Sequence, residues 1–299
     1  MISIVIPAYN AEKYIKKNYE ALSTQLDKEF EIIYIDDGSN DKTLQYLDEI
    51  RERDNRVKVL SQLNSGAMVA RMNGVQVSKY EYITFLDVDD TVSSLYIFSL
   101  KENICDGYDL VSTGFVIKSD NKNLKKNNID SGVYSKEEYL YQVLSKSSWE
   151  LCGKAFNKKL FQGVDLPDRR LSVAEDTYIF VQVLLNINTK VIVTDTFNYF
   201  YHVVENSISR QKNNLFVEDA LYVGLTLKKI LIDYNVNIDY INCMILLLYS
   251  NSLRRGMLSS KHQYFKVVQD AFKLNALILL PKHKMIFVII GFIANKVLK

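Results

Sequence analysis

Ile2–Asp37 reads ISIVIPAYNAEKYIKKNYEALSTQLDKEFEIIYIDD, and the two changes of pattern within it decide the fold. Ile2–Pro7 is an apolar run of strand length. Ala11–Leu26 then sets Tyr14, Ile15, Tyr19 and Leu22 at the three- and four-residue spacing that lines one face of a helix. Phe30–Asp37 is a second buried strand, and it ends on two carboxylates. A strand, a helix of this length and a strand predict a βαβ unit and a parallel sheet.

The alternation continues outward. Asn40–Asp54 is a second amphipathic helix with Ser39 or Asn40 as its N-cap. Arg56–Gln62 is a third strand, Gly66–Ser78 a third helix with small residues near its start, and Glu81–Asp87 a fourth strand. Ligands of such α/β sheets bind beyond the carboxyl ends of the strands. Polar clusters stand at all four ends: Pro7–Asn10 (PAYN), Asp36–Ser39 (DDGS), Asn64–Gly66 (NSG) and Asp87–Asp90 (DVDD). Each alone is a good turn sequence. Four in succession on one sheet edge predict a binding site.

The residue types at that edge suggest its chemistry. Asp36 and Asp37 are suited to accept hydrogen bonds from a uracil ring or a ribose, and Gly38 lets the backbone turn sharply against a ligand. Asn64 and Gly66 open the third helix, where free N–H groups favour anions. Arg71, one helical turn on, is in reach of a carboxylate or a phosphate. Asp87, Asp89 and Asp90 repel one another unless a cation lies among them. Read as an extended segment, Asp87 and Asp89 share a face. A Mg²⁺ or Mn²⁺ ion with two diphosphate oxygens would neutralise them and assist a leaving phosphate.

Beyond Leu110 the pattern loosens. Asp109–Asp120 reads as one strand, the Lys/Asn-rich stretch 121–132 as a hairpin tip or mobile loop, and Ser135–Ser147 and Glu175–Ile187 as helices. Lys190–Val203 reads as one or two strands, and from Asn213 the chain is almost wholly helical. The expected division is a domain over 1–212, with halves 1–110 and 111–212, and a helical region over 213–299. Within the latter, the tail 282–299 has an apolar run, Met285–Ala294, between lysines. The run is short of the about 20 residues that span a bilayer. It suits a membrane-surface helix with snorkelling lysines, or a helix packed on the core or on a second subunit.

Composition narrows the class. Apolar residues make up 48% and charged residues 24% of 299, the balance of a globular protein. A net charge of +2 gives no footprint for nucleic acid. Cys105, Cys152 and Cys243 are odd in number and far apart, forming neither a metal spacing nor a disulfide framework. A reducing cytosol is the matching compartment. The N-terminal MISIVIPAYN reads as a strand rather than a signal peptide.

The series Ile4–Ile15, Ile32–Thr43, Asn64–Gly74, Ile83–Asp90 and Glu175–Phe180 (EDTYIF) resembles, in order and spacing, the successive motifs of family-2 glycosyltransferases of the inverting GT-A type. The resemblance covers about residues 1 to 210. Ser148–Phe161 resembles the segment these enzymes carry ahead of an acidic catalytic helix, and Tyr199–Gln211 resembles a loop that closes over the diphosphate. The implied fold is a GT-A α/β domain, Rossmann-like with a mixed but mainly parallel sheet flanked by helices, followed by a helical C-terminal extension.

The implied roles follow the motifs. Pro7, Ala8 and Tyr9 line the nucleotide pocket, with Tyr9 against the base. Asp37, alone or with Asp36, binds uridine; Asp87 touches the ribose or the metal's water shell; Asp89 ligates the metal. Asp176 is the general base on the acceptor hydroxyl, with Glu175 beside it, although acids in a first helical turn also suit the helix dipole. His202 is a metal ligand, a phosphate donor or a strand-end residue with a satisfied hydrogen bond; Ser207, Ser209 and Arg210 bind phosphate. Trp149 stacks under an acceptor sugar or anchors the core, and Lys154 is a further acceptor contact. The expected activity moves a sugar from a UDP-sugar, with Mn²⁺ or Mg²⁺, to a lipid-linked glycan acceptor in polysaccharide biosynthesis. The expected location is cytoplasmic, peripheral at the inner face of the plasma membrane, with a homo-oligomer possible. The alternative is a catalytically silent GT-A relative that serves as scaffold or partner of another transferase.

Overall fold

The computed structural model describes residues 1–104, 107–119, 122–204 and 212–297. In chain order the elements are β1 (Ile2–Ala8), α1 (Glu12–Ser23), β2 (Phe30–Asp36), α2 (Thr43–Arg53), β3 (Val57–Ser61), α3 (Ala67–Val77), β4 (Tyr82–Phe85), β5 (Thr91–Val92), α4 (Tyr96–Ile104), β6 (Leu110–Ser112), β7 (Phe115–Ser119), β8 (Lys122–Lys126), β9 (Gly132–Tyr134), α5 (Lys136–Lys146), β10 (Lys154–Asn157), α6 (Glu175–Leu185), β11 (Val191–Val193), β12 (Tyr199–His202), α7 (Asn214–Asp233), α8 (Ile238–Ser252), α9 (Phe265–Ala271), α10 (Leu274–Leu279) and α11 (Lys282–Val297). They form two compact units: Met1–Lys136 with Glu150–Arg170 and Asn186–Glu205, and Glu137–Trp149 with Leu171–Leu185 and Asn206–Lys299. Helices α5 and α6 thus group with the C-terminal helices.

The first unit is built on an eight-stranded sheet in the order β3-β2-β1-β4-β10-β6-β11-β9. β3, β2, β1 and β4 are mutually parallel, as the βαβ alternation predicts. Every residue of β1 and β2 is buried, because helices cover these apolar strands. β10 runs antiparallel between β4 and β6, so the sheet is mixed. A second sheet has the order β5-β12-β7-β8.

Asp109–Asp120, read as one strand, is two. β6 joins the large sheet and β7 the small one. The break falls at Thr113–Gly114, where a Cβ on Gly114 would overlap the Phe197 ring and Thr113 turns to bond the Gly153 carbonyl. Likewise Lys190–Val203 divides into β11 and β12, one for each sheet. The polar stretch after Asn121 supplies a strand, β8, paired antiparallel with β7.

Close approach of α3 to β1 depends on small side chains. Ala70 and Gly74 are buried one helical turn apart, and a Cβ on Gly74 would overlap Val5. Gly74→Val is therefore expected to destabilise the protein by about 3 kcal/mol, the upper range for overpacking a core. Urea unfolding checks this, and an unchanged midpoint would contradict the tight contact.

In the second unit α8 is buried along most of its length, and α7, α9, α10 and α11 pack on it. Asn213 and Asn237 cap α7 and α8 by accepting from Leu215 N and Asp239 N. The tail helix α11 buries one face in its own unit: Val288 is fully buried, Gly291 abuts Leu253, and Phe292 stacks on Phe272 at 4.2 Å. Its other face exposes Ile286, Phe287, Ile290 and Ile293. Among the described residues, no helix is long and apolar enough to cross a membrane.

Candidate functional site

The loops after β1 and β2 are laced together. Asp37 N donates to Ala8 O at 2.8 Å, Asn10 N to Ser39 Oγ at 2.9 Å, and Asn40 N to Asn10 Oδ1 at 2.9 Å. Asn10 takes a left-handed φ of 48° to make these contacts. Pro7 and Ala8 stay buried while Tyr9 projects, 47% exposed.

Asp37 organises the neighbouring loop. Its Oδ1 accepts from Gln62 Nε2 and Ser65 N, and its Oδ2 from Gly66 N, all at 2.8 Å. The amides just ahead of α3 are thus already held by a carboxylate of this chain. Asp36, 1% exposed, accepts from Ser61 Oγ at 3.1 Å and Ser39 N at 3.3 Å. Gly38 is obligatory: φ is 73°, and a Cβ would lie 2.9 Å from Asn64 N. Asn64 itself is exposed. Sequence reasoning missed Gln62 and Ser65 here, and also Arg170, whose Nε lies 3.4 Å from where a Gly66 Cβ would stand. A lone arginine in an irregular stretch carries no signal that would have singled it out.

The acidic stretch is a turn rather than an extended segment. Asp90 N donates to Asp87 O at 3.0 Å, and buried Asn18 Nδ2 donates to both Asp87 O and Asp90 O. Tyr34 OH in turn donates to Asn18 Oδ1 at 2.9 Å. Asp87 and Asp89 therefore stand at the first and third positions of a turn, not on one face of a strand.

Its three carboxylates are relieved unequally. Asp87 pairs with Arg71 Nη2 at 2.8 Å. Asp90, 1% exposed, accepts from Tyr199 OH at 2.5 Å and from His202 N at 2.8 Å; burial and then the Asp87 charge push its carboxyl up to about 8. Asp89 makes no ion pair among the described residues, and burial followed by the Asp87 charge raises it to about 6 against the pull of Arg71. A carboxylate raised in this way is stabilised by a nearby cation.

No group of three or more His, Cys, Asp or Glu among the described residues is arranged to hold a metal. His202 Nε2 is engaged by Thr91 Oγ1 at 2.8 Å and lies 3.5 Å from Lys17 Nζ. Burial, then Lys17 and Lys118, hold its pKa below the ordinary value. The donor set nonetheless fits a hard divalent ion of the Mg²⁺ kind, which is usually bound through one or two carboxylates with substrate phosphates and water completing the shell.

In the second unit Glu175 and Asp176 open α6. The preceding Ala174 has a left-handed φ of 61°, unusual for a residue with a Cβ, and its carbonyl accepts from Tyr178 N at 3.0 Å. Strain of this kind clusters at functional sites. Trp149 is half-buried. Lys154, in the first unit, is 2% exposed and donates to Glu150 O at 2.7 Å, so its ammonium faces inward. Ser207, Ser209 and Arg210 lie outside the described residues.

The model of glycosyl transferase family 2 matches residues 3–163. Glycosyltransferase GlyA of Streptococcus pneumoniae serotype 4 is 28% identical over 221 residues, covering 70% of this chain and 31% of that protein. The uncharacterized glycosyltransferase EpsJ of Bacillus subtilis is 28% identical over 185 residues, covering 59% and 54%. The chain thus spans from under a third to about half of these relatives' length. The crystal structure of S. aureus TarS 1–349 in complex with UDP-GlcNAc superposes with a TM-score of 0.73 at 19% identity, covering 98% of this chain and 88% of that one. The fold is GT-A.

Proposed function

The chain belongs to glycosyl transferase family 2, and we propose that it moves a sugar from a UDP-sugar to a hydroxyl of a glycan acceptor with inversion at the anomeric carbon. The observation that carries this reading is the turn Asp87–Asp90, in which Asp87 pairs with Arg71, Asp90 accepts from Tyr199 OH and the His202 amide, and Asp89 makes no ion pair among the described residues. Asp89 would hold Mn²⁺ or Mg²⁺, with Asp87 at its water shell, and the ion when bound supplies Lewis-acid stabilisation of the leaving diphosphate. Pro7, Ala8 and Tyr9 bound the nucleotide, and Asp36 and Asp37 shape the loop that meets the uridine. Arg71 holds Asp87 in place. Asp176 takes the proton from the acceptor hydroxyl as its oxygen bonds to the anomeric carbon and the bond to UDP breaks, the electron pair leaving on the diphosphate. Glu175 stands next to it in the same helical turn.

Calorimetry with UDP and with GDP, each with and without Mn²⁺, tests the donor side. UDP binding that needs the metal supports the reading; binding of neither nucleotide would sink it and favour a silent scaffold.

The acceptor is read as lipid-linked, with the protein peripheral at the inner face of the plasma membrane. The support is the exposed stripe Ile286, Phe287, Ile290 and Ile293, spaced for one helix face and led in by exposed Lys282. Deleting the tail would also uncover Phe272 and Leu253, so substitution on the stripe is the cleaner test. Ile286→Gln with Ile290→Gln is expected to weaken partition onto phosphatidylglycerol vesicles by about 100-fold, from the apolar area lost without added charge. Unchanged partition, or a change in oligomeric state instead, would assign the stripe to a protein contact.

A further inference from the structure

The four-stranded sheet of the first unit carries charge that the donor chemistry does not use. Directly paired residues share a sheet face. The registers Phe200↔Val116↔Lys125 and His202↔Lys118 therefore set Phe200, His202, Lys118 and Lys125 on one face. The opposite face carries Tyr199, Phe115 and Tyr201, which pack in the core. On the basic face Lys125 is exposed and Phe200, His202 and Lys118 are half-buried around a buried Val116, and Lys17 of α1 reaches it at His202.

Among the described residues Lys118 and Lys125 are positioned by aromatic rings and make no ion pair. The Lys118 ammonium lies 4.5 Å from the Phe200 ring centre, and that of Lys125 4.9 Å from Phe197. An aromatic face holds a cation in place and leaves its charge available to an anion, as a carboxylate partner would not. None of β5, β7, β8 and β12 contains Asp or Glu. With a net charge of only +2 for the whole chain, this is a local concentration.

A plainer account covers part of it. β8 is an edge strand, and lysines on edges prevent pairing with other chains. That explains Lys122, Lys125 and Lys126. It does not explain Lys118 on the inner strand β7, nor Lys17 on a helix.

The face also has a fixed relation to the acidic turn. Thr91 follows Asp90 directly and bonds His202 Nε2, while His202 N bonds Asp90 Oδ1. An extended polymer on this face would run to the place where the leaving diphosphate is read to lie. We propose that the face binds the acceptor chain and that the acceptor is a phosphate-bearing glycan, an inference that rests on the transferase reading above. The lysines take the phosphates, and the flat strands follow the extended chain.

Phosphomannan, with unphosphorylated mannan as its neutral counterpart, is the probe. At low salt the wild type is expected to bind phosphomannan and not mannan, and Lys118→Gln with Lys125→Gln to weaken that binding about tenfold, as lost phosphate contacts do. Lys229→Gln with Lys266→Gln, the same charge change on α7 and α9, is expected to leave it within about twofold, since distant surface charges are screened. UDP binding stays equal in all variants. Equal loss in both pairs, or no loss in the first, overturns the proposal. So does capture of phosphatidylglycerol vesicles that depends on Lys118 and Lys125, which would make the face a lipid contact. A wild type that binds phosphomannan but not UDP would instead overturn the donor reading.

Discussion

Asp89→Asn is expected to lower sugar transfer by about 10²–10³-fold and to remove the metal dependence of UDP binding. Asparagine keeps the shape of aspartate and loses its charge. Asp87 and Asp90 are already committed, to Arg71 and to Tyr199 with the His202 amide, so neither is free to take over. The fold should not suffer. Burial and the Asp87 charge raise the Asp89 carboxyl to about 6 in the folded protein, above its ordinary value. Without an ion its ionised form is thus disfavoured by folding at neutral pH, and the penalty fades as pH falls through about 6. The neutral variant should unfold at the same temperature as the wild type or slightly higher. Full transfer activity in the variant would refute the metal role; loss of activity together with a large fall in unfolding temperature would assign Asp89 to the scaffold.

Asp176→Asn is expected to reduce transfer by about 10²–10⁴-fold, the range for removing a general base. UDP binding with Mn²⁺ should persist, since the base acts on the acceptor and not on the nucleotide. The competing account, that Glu175 and Asp176 merely suit the positive end of α6, predicts a modest loss of stability and little change in turnover. Measuring both quantities on the same preparation separates the two. Ala174 bears on the choice: a first-turn acid needs no strained residue ahead of it, whereas a side chain held in one orientation can use one.

Much of the first unit was legible in the chain. β1 to β4 and the helices between them were read to within about three residues, because apolar runs and helical spacing are local properties, although α2 starts behind Lys42 and not behind Ser39 or Asn40. The polar strand ends were likewise visible. The division of Asp109–Asp120 between two sheets was not, since it depends on Phe197 filling the space above Gly114, a contact between residues far apart in sequence. The hairpin strand β8 was hidden by its composition: KNLKK lacks the apolar alternation of a half-buried strand because it is an exposed edge.

The sequence by itself determined that three carboxylates would follow a buried strand at a sheet edge, where their charges repel one another. It could not apportion the charge. Arg71, Tyr199 and the His202 amide lie 16, 109 and 112 residues from the carboxylates they relieve. Only the tertiary structure decided that Asp87 pairs with Arg71, that Asp90 accepts from Tyr199 and the His202 amide, that Asp37 holds the loop before α3, and that Asp89 makes no ion pair among the described residues. Propensity and periodicity act over a few residues, whereas the electrostatic state of a buried acid is set by whatever the fold brings within a few ångströms of it.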